Sequence, residues 1–170
     1  MPKRIHYLFV TLFCLGMLGV ALFFQLVVGL EPCPLCIFQR IALMFIGIIG
    51  LFAFLHNSQG WMDRIYGLLL ILGGIASVSV ASRHIWLLSL PKDEAASCGP
   101  GMETILDRFI SFLPQGQVTE TLFRSGAECT EVTWSLFGLG IPQLSYPVLI
   151  LFAAYLVWLF FKRDNKRMFY

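Results

Sequence analysis

Four stretches of this chain carry no Asp, Glu, Lys or Arg: Ile5 to Leu30, Ile41 to Met62, Ile65 to Ser82 and Val132 to Phe161. A helix that crosses a bilayer needs about 20 mostly apolar residues, so the stretches define four spans at roughly 7–30, 37–56, 65–86 and 145–162. The rest of the composition agrees. Of 170 residues 58 % are hydrophobic and 13 % charged, against about 45–50 % and about 25 % in an average soluble domain. A disordered chain has the opposite balance, and a soluble domain of this make-up could not cover its surface with polar groups. The net charge of +2 gives no support to nucleic-acid binding. The expected fold is an all-α membrane protein, a four-helix transmembrane bundle in one domain with two outer loops, the second of them long.

The first span follows Lys3 and Arg4, which resemble the basic start of a signal peptide. Its apolar run far exceeds the roughly 7–15 residues of such a segment, and no Ala-x-Ala site follows. It is read as a retained helix. Orientation comes from the basic residues. Lys3 and Arg4 flank the first span, and Lys162, Arg163, Lys166 and Arg167 follow the last. Basic flanks face the cytoplasm, and four spans return both ends to the same side. The loops at about 31–36 and 87–144 are then on the outer face, periplasmic in a Gram-negative bacterium. The turn at about 57–64 is cytoplasmic.

Small residues suggest where helices meet. Gly16 and Gly19 lie in the first span and Gly47 and Gly50 in the second, while Gly73, Ser77 and Ala81 recur every fourth residue in the third. Such spacing lets backbones approach closely in lipid. In the long loop, Phe109 to Pro114 is apolar between polar flanks. It is too short to span, and suits either the bilayer surface or a small packed loop core.

The five cysteines divide by location. Cys33 and Cys36 form Cys33-Pro34-Leu35-Cys36 between spans one and two, and Cys98 and Cys129 lie in the long loop. All four are on the outer side, where disulfides form and persist. Cys14 is deep in the first span and reads as a small apolar filler. Four cysteines could bind zinc, but only one pair is a CxxC and the other is split by thirty residues, so no metal is expected. Two structural disulfides in a non-enzymatic membrane protein are the plainer alternative.

Local chemistry favours reactivity at the CxxC. Pro32 and Pro34 precede the second span, which puts Cys36 near a helix N-terminus, where partial positive charge stabilises a thiolate. Arg40 is four residues further on, on the same helix face. It also stands at the outer end of its span, against the positive-inside bias, where the ordinary role is an anchor that snorkels to headgroups. His84, near the outer end of the third span, suits donation to a carbonyl ligand or proton relay, and equally an ordinary interfacial histidine. Its neighbour Arg83 reads as an anchor. His6 and His56 are given no role.

These residues resemble the DsbB family of bacterial inner-membrane thiol oxidases. Cys33-Pro34-Leu35-Cys36-Ile37-Phe38-Gln39-Arg40 is similar to the family's CxxC followed by an apolar-aromatic pair and Arg. His84, some way before Cys98, resembles its His near the quinone. Gly126-Ala127-Glu128-Cys129, then Trp134, Gly138-Leu139 and Pro142-Gln143, resembles the segment leading into the last span. Ser82-Arg83-His84-Ile85 and Leu144 depart from the best-known member, which has an aromatic residue where Leu144 stands. The resemblance implies a catalytic set of Cys33, Cys36, Cys98 and Cys129. Cys33 and Cys36 would exchange electrons with a membrane quinone, ubiquinone or menaquinone, with Cys36 as the thiolate touching it and Arg40 and His84 beside it. Cys98 would take the mixed disulfide with a soluble periplasmic DsbA-like thiol oxidase, and Cys129 would then pair with Cys33. The direction of flow is that of the family's known DsbA–DsbB–quinone relay, carried over and not obtained from spacing.

Overall fold

The computed structural model describes residues 3–30, 32–56, 60–89, 104, 108, 111, 135–136 and 139–161. Four helices make up most of this: α1 (Lys3–Leu26), α2 (Pro34–His56), α3 (Trp61–Leu88) and α4 (Ile141–Phe161). All four are long and apolar enough to cross a membrane, and the protein is a multi-pass membrane protein. Before α4, two short strands, β1 (Ser135–Leu136) and β2 (Leu139–Gly140), pair antiparallel with Ser135 opposite Gly140. This small ladder lies within the long outer loop expected at about 87–144. Cys98, Cys129 and the apolar stretch 109–114, apart from Ser111, lie outside the described residues.

Local chemistry sets the helix ends. The apolar run of the first span continues to Leu30, but α1 stops at Leu26. Gly29 takes a left-handed φ of 73°, and the Leu30 amide donates back to the Phe24 carbonyl at 3.2 Å, a helix-ending arrangement that glycine favours. Gly60, with φ 76°, starts α3 in the same unusual region. Pro147 lies inside α4 and removes the amide that would bond the carbonyl one turn back. That gap is affordable in a membrane helix packed against neighbours.

Glycines decide which helices approach most closely. A Cβ on Gly73 of α3 would lie 2.7 Å from Ile46 Cγ1 of α2, and one on Gly67 would lie 2.7 Å from the Phe160 ring of α4. A Cβ on Gly50 of α2 would meet Thr11 Oγ1 of α1 at 2.9 Å. Ser77 and Ala81 are buried with Gly73, so the every-fourth-residue stripe is a packing face. Gly16 and Gly19 are different. Nothing lies within 4 Å of a Cβ on either, so they point away from the helix contacts. Spacing alone cannot tell which side of an all-apolar helix faces lipid.

Between α1 and α4 the contact is made by rings. Phe13 stacks on Phe152 at 4.3 Å, and Phe9 meets Tyr155 edge-on at 5.5 Å. The buried core runs through Val10, Cys14, Ile46, Leu70, Phe152 and Leu156. Leu12, Leu15, Phe52, Leu72, Leu151 and Phe161 are among many large apolar side chains left outside, as expected where lipid takes the place of water. Cys14 is 1 % exposed and faces Gly47, which fits a filler.

One end of the bundle is tied by polar side chains. His6 Nδ1 and the Tyr155 hydroxyl are 2.7 Å apart, joining α1 to α4. The Tyr7 hydroxyl donates to Asp63 Oδ1 of α3. Tyr66 and His56 meet at 3.2 Å between α3 and α2. The two histidines given no role from sequence are thus structural fasteners. The opposite end carries the CxxC.

Candidate active site

Cys33 immediately precedes α2, and its side chain does what Ser or Asp does at a helix start. Its Sγ accepts the Cys36 backbone N–H at 3.4 Å, and its carbonyl accepts from Ile37 N at 3.2 Å. That is N-cap geometry with sulfur in place of oxygen, and Pro34 occupies the first helical position, where its missing N–H is no loss. The spacing of a CxxC therefore puts the second cysteine one turn in, with its sulfur returned to the first. Cys33 Sγ and Cys36 Sγ are 3.0 Å apart in a shared hydrogen bond, and both thiols are free. Cys33 is 6 % exposed, whereas Cys36 is half-buried.

His84 reaches this pair from α3. Its Nε2 is 3.8 Å from Cys33 Sγ and its Nδ1 is 4.0 Å from Cys36 Sγ, with the residue 4 % exposed. The ring straddles the two sulfurs. Leu35 and Leu87 close the apolar wall around Cys33. The Cys36 side chain, and to a lesser degree His84, hold the Cys33 thiol down to about 5 against the opposing effect of burial. The donors thus gather on Cys33, because it is the cap. From sequence, Cys36 is the expected thiolate, since it follows the prolines into the helix.

Arg40 is one turn beyond Cys36 and is buried, at 7 % exposed. Its Nη1 donates to Gln25 Oε1 of α1 at 2.5 Å, and its Nη2 donates to the Ala21 carbonyl at 3.3 Å. Its guanidinium group is carried one turn beyond Cys36 on the same helix. Arg40 is therefore held inside the bundle and does not snorkel outward as an interfacial anchor would. Arg83, by contrast, is exposed, as an anchor should be. Gln25 was not singled out from sequence. The available signal was its isolation as the only carboxamide in an apolar first span, near the level of the CxxC.

The structure thus brings together Cys33, Cys36 and His84, with Arg40 buried one turn further along α2. Cys98 and Cys129 lie outside the described residues, so their relation to this cluster is not defined. Two thiols in contact, one low in pKa, with an imidazole and a guanidinium near them, can carry out thiol–disulfide exchange. The sulfurs and a ring nitrogen of His84 also lie within 4.8 Å of one another, a set able to hold a metal ion.

Known proteins bear on this geometry. A family model described as disulfide bond formation protein DsbB matches residues 3–161. A disulfide bond formation protein B from Marinobacter nauticus is 43 % identical over 142 residues, covering 84 % of this chain and 82 % of the relative. One from Nitrosomonas eutropha is 43 % identical over 152 residues, 89 % of each. One from Nitrosomonas europaea is 41 % identical over 157 residues, 91 % of this chain and 93 % of the relative.

Proposed function

The chain belongs to the DsbB family and has a redox role in disulfide bond formation, and from that premise we propose that it is a membrane thiol:quinone oxidoreductase. It reoxidises a periplasmic DsbA-like dithiol protein and passes the electrons to a membrane quinone. The protein sits in the bacterial inner membrane as one four-span domain with both termini in the cytoplasm. The observation that carries the reading is the contact of Cys33, Cys36 and His84 at one end of a transmembrane bundle, beside a buried arginine. A structural staple needs neither a histidine on the sulfurs nor a buried cation one turn further along α2.

The chemistry is a chain of exchanges, each the attack of a thiolate on a disulfide sulfur. A reduced DsbA-like thiolate attacks Cys98 of a Cys98–Cys129 disulfide and releases the Cys129 thiolate. Cys129 attacks Cys33 of a Cys33–Cys36 disulfide and releases Cys36. The partner's second thiolate then attacks its own sulfur in the mixed disulfide and frees Cys98, and Cys98 attacks Cys129, which restores Cys98–Cys129 and releases the Cys33 thiolate. Cys33 is a good site for attack and return, because the cap and His84 stabilise its thiolate when it leaves. Arg40 and His84 suit a quinone by charge and hydrogen-bonding capacity. Cys36 is the more exposed residue of the pair. A bound quinone supplies the two-electron acceptor. Arg40 would stabilise negative charge at Cys36 and on the ligand's oxygen, Gln25 fixes Arg40, and Cys33 re-forms its bond to Cys36 as two electrons and two protons pass to the acceptor, which restores the resting pair.

The test is to mix the purified chain in detergent with reduced DsbA-like protein and short-chain ubiquinone or menaquinone analogues, following quinone absorbance. Loss of quinone that requires Cys36 and Arg40 is expected. Undiminished turnover by Cys36→Ser would remove the mechanism. No turnover with any analogue, with the four outer cysteines staying oxidised, would favour structural disulfides.

A further inference from the structure

We propose that the reduced CxxC, together with His84, is a zinc site. The inference stands on the geometry of Cys33, Cys36 and His84 and not on the quinone reaction. It differs from the four-cysteine zinc set that the sequence argues against, because the third ligand is an imidazole from α3. The two sulfurs and a His84 ring nitrogen lie within 4.8 Å of one another. They come from two elements, α3 and the start of α2, and they are buried or half-buried among apolar side chains. Two thiolates and an imidazole are the donor types zinc takes, and three protein ligands leave a fourth position open.

The distances decide how much must move. With Zn–S of about 2.3 Å, Zn–N of about 2.0–2.1 Å and tetrahedral angles, the sulfurs should be about 3.8 Å apart and each about 3.6 Å from the nitrogen. The sulfurs are now 3.0 Å apart, so they must open by about 0.8 Å, within reach of a small torsion at the half-buried Cys36. The two ring nitrogens face different sulfurs, Nε2 at 3.8 Å from Cys33 Sγ and Nδ1 at 4.0 Å from Cys36 Sγ, and with all three ligand atoms within 4.8 Å a single nitrogen must close on the second sulfur by at most about 1.2 Å. Coordination breaks any S–H bond still present, releases that proton and forms two Zn–S bonds and one Zn–N bond. No electron moves. A disulfide between Cys33 and Cys36 has no thiolate to offer, so the site exists only in the reduced chain. Where the proposed oxidase reaction holds, zinc traps the pair reduced and blocks turnover.

Zinc binding needs no turnover, so its failure and that of the oxidase reading are separable. The full-length chain carrying Cys98→Ser and Cys129→Ser is reduced with a phosphine, and zinc is titrated against a chromophoric chelator in detergent. One zinc per reduced chain is expected, and none after oxidation of the pair. Cys36→Ser should abolish uptake. His84→Ala should weaken it at least tenfold, with His84→Gln as a second variant should alanine disturb folding. Cadmium in place of zinc should show a thiolate charge-transfer band that depends on both cysteines. Zinc uptake by the reduced chain no greater than by Cys36→Ser overturns the site, and so does affinity unchanged in both His84 variants.

Discussion

Replacing Gln25 by leucine should loosen Arg40 without altering a single sulfur ligand. Arg40 is a buried cation whose Nη1 donates to Gln25 Oε1 and whose Nη2 donates to the Ala21 carbonyl. Hydrogen bonds to charged groups contribute about 1.5–3 kcal/mol in soluble proteins. Side-chain bonds between membrane helices average about 0.6 kcal/mol, with a maximum near 1.7. The charge pulls the value up and the membrane reference state pulls it down, so about 1–1.5 kcal/mol of coupling is expected. The Ala21 carbonyl remains as an acceptor at 3.3 Å, which keeps the loss below that of a buried charge stripped of all partners. The assay is a double-mutant cycle of Gln25→Leu and Arg40→Met, read by reversible unfolding in mixed detergent micelles. In the quinone assay the single variant Gln25→Leu should slow turnover by roughly fivefold to tenfold, the rate equivalent of that energy, while Arg40→Met slows it more. A coupling energy under about 0.3 kcal/mol, within the error expected of independent sites, would refute the idea that α1 positions Arg40.

Four further outcomes follow from the geometry. Gly73→Ala should destabilise the bundle by about 1–3 kcal/mol, because its Cβ would stand 2.7 Å from Ile46 Cγ1, whereas Gly16→Ala, with nothing within 4 Å, should be neutral or stabilising by up to about 1 kcal/mol; equal effects in thermal unfolding would discount the packing stripe. In the reduced chain one outer thiol should titrate near 5, the value set for Cys33 mainly by Cys36, seen as thiolate ultraviolet absorbance, and Cys36→Ala should move it upward. The Cys33 pKa is lower folded than unfolded, so its contribution to stability is complete above the unfolded thiol pKa and is lost as pH falls through about 5; a reduced chain no less stable at pH 5 than at pH 8 would contradict it. Cys14→Ala should keep full turnover and cost about 0.5–2 kcal/mol in unfolding, since Cys14 is buried in the core away from the CxxC; loss of thiol exchange would give it a redox role.

Much of the architecture is legible in the charge-free stretches, because lipid imposes one length and one backbone solution on every span. The rotation of each helix is not. Gly73 and Gly16 look alike in sequence, and only the first meets a neighbour. In a helix apolar on all sides no hydrophobic stripe marks the inner face. At the site, the CxxC, Arg40 and His84 stand out as chemistry-bearing residues where lipid-facing ones are expected. Their partners do not. His84 is forty-eight residues from Cys36, and only the packing of α3 on α2 lays its ring across both sulfurs. Gln25 and the Ala21 carbonyl are likewise supplied by the way α1 lies on α2. The assignment of Cys33 as cap needs the helix to begin at Pro34, a boundary one or two residues finer than periodicity can fix.

That cap makes the helix start part of the redox couple. A thiolate at Cys33 is a far better acceptor for the Cys36 amide than a sulfur tied into a disulfide, so closing the pair weakens the first turn of α2 as it forms the S–S bond. A side-chain cap is worth about 1 kcal/mol, and in a two-electron couple that is about 20 mV in favour of the reduced form. A Cys33–Cys36 disulfide in this fold would thus be more oxidising by the energy of a helix end. A substitution that merely frays α2, far from any sulfur chemistry, would lower the potential at which the pair accepts electrons.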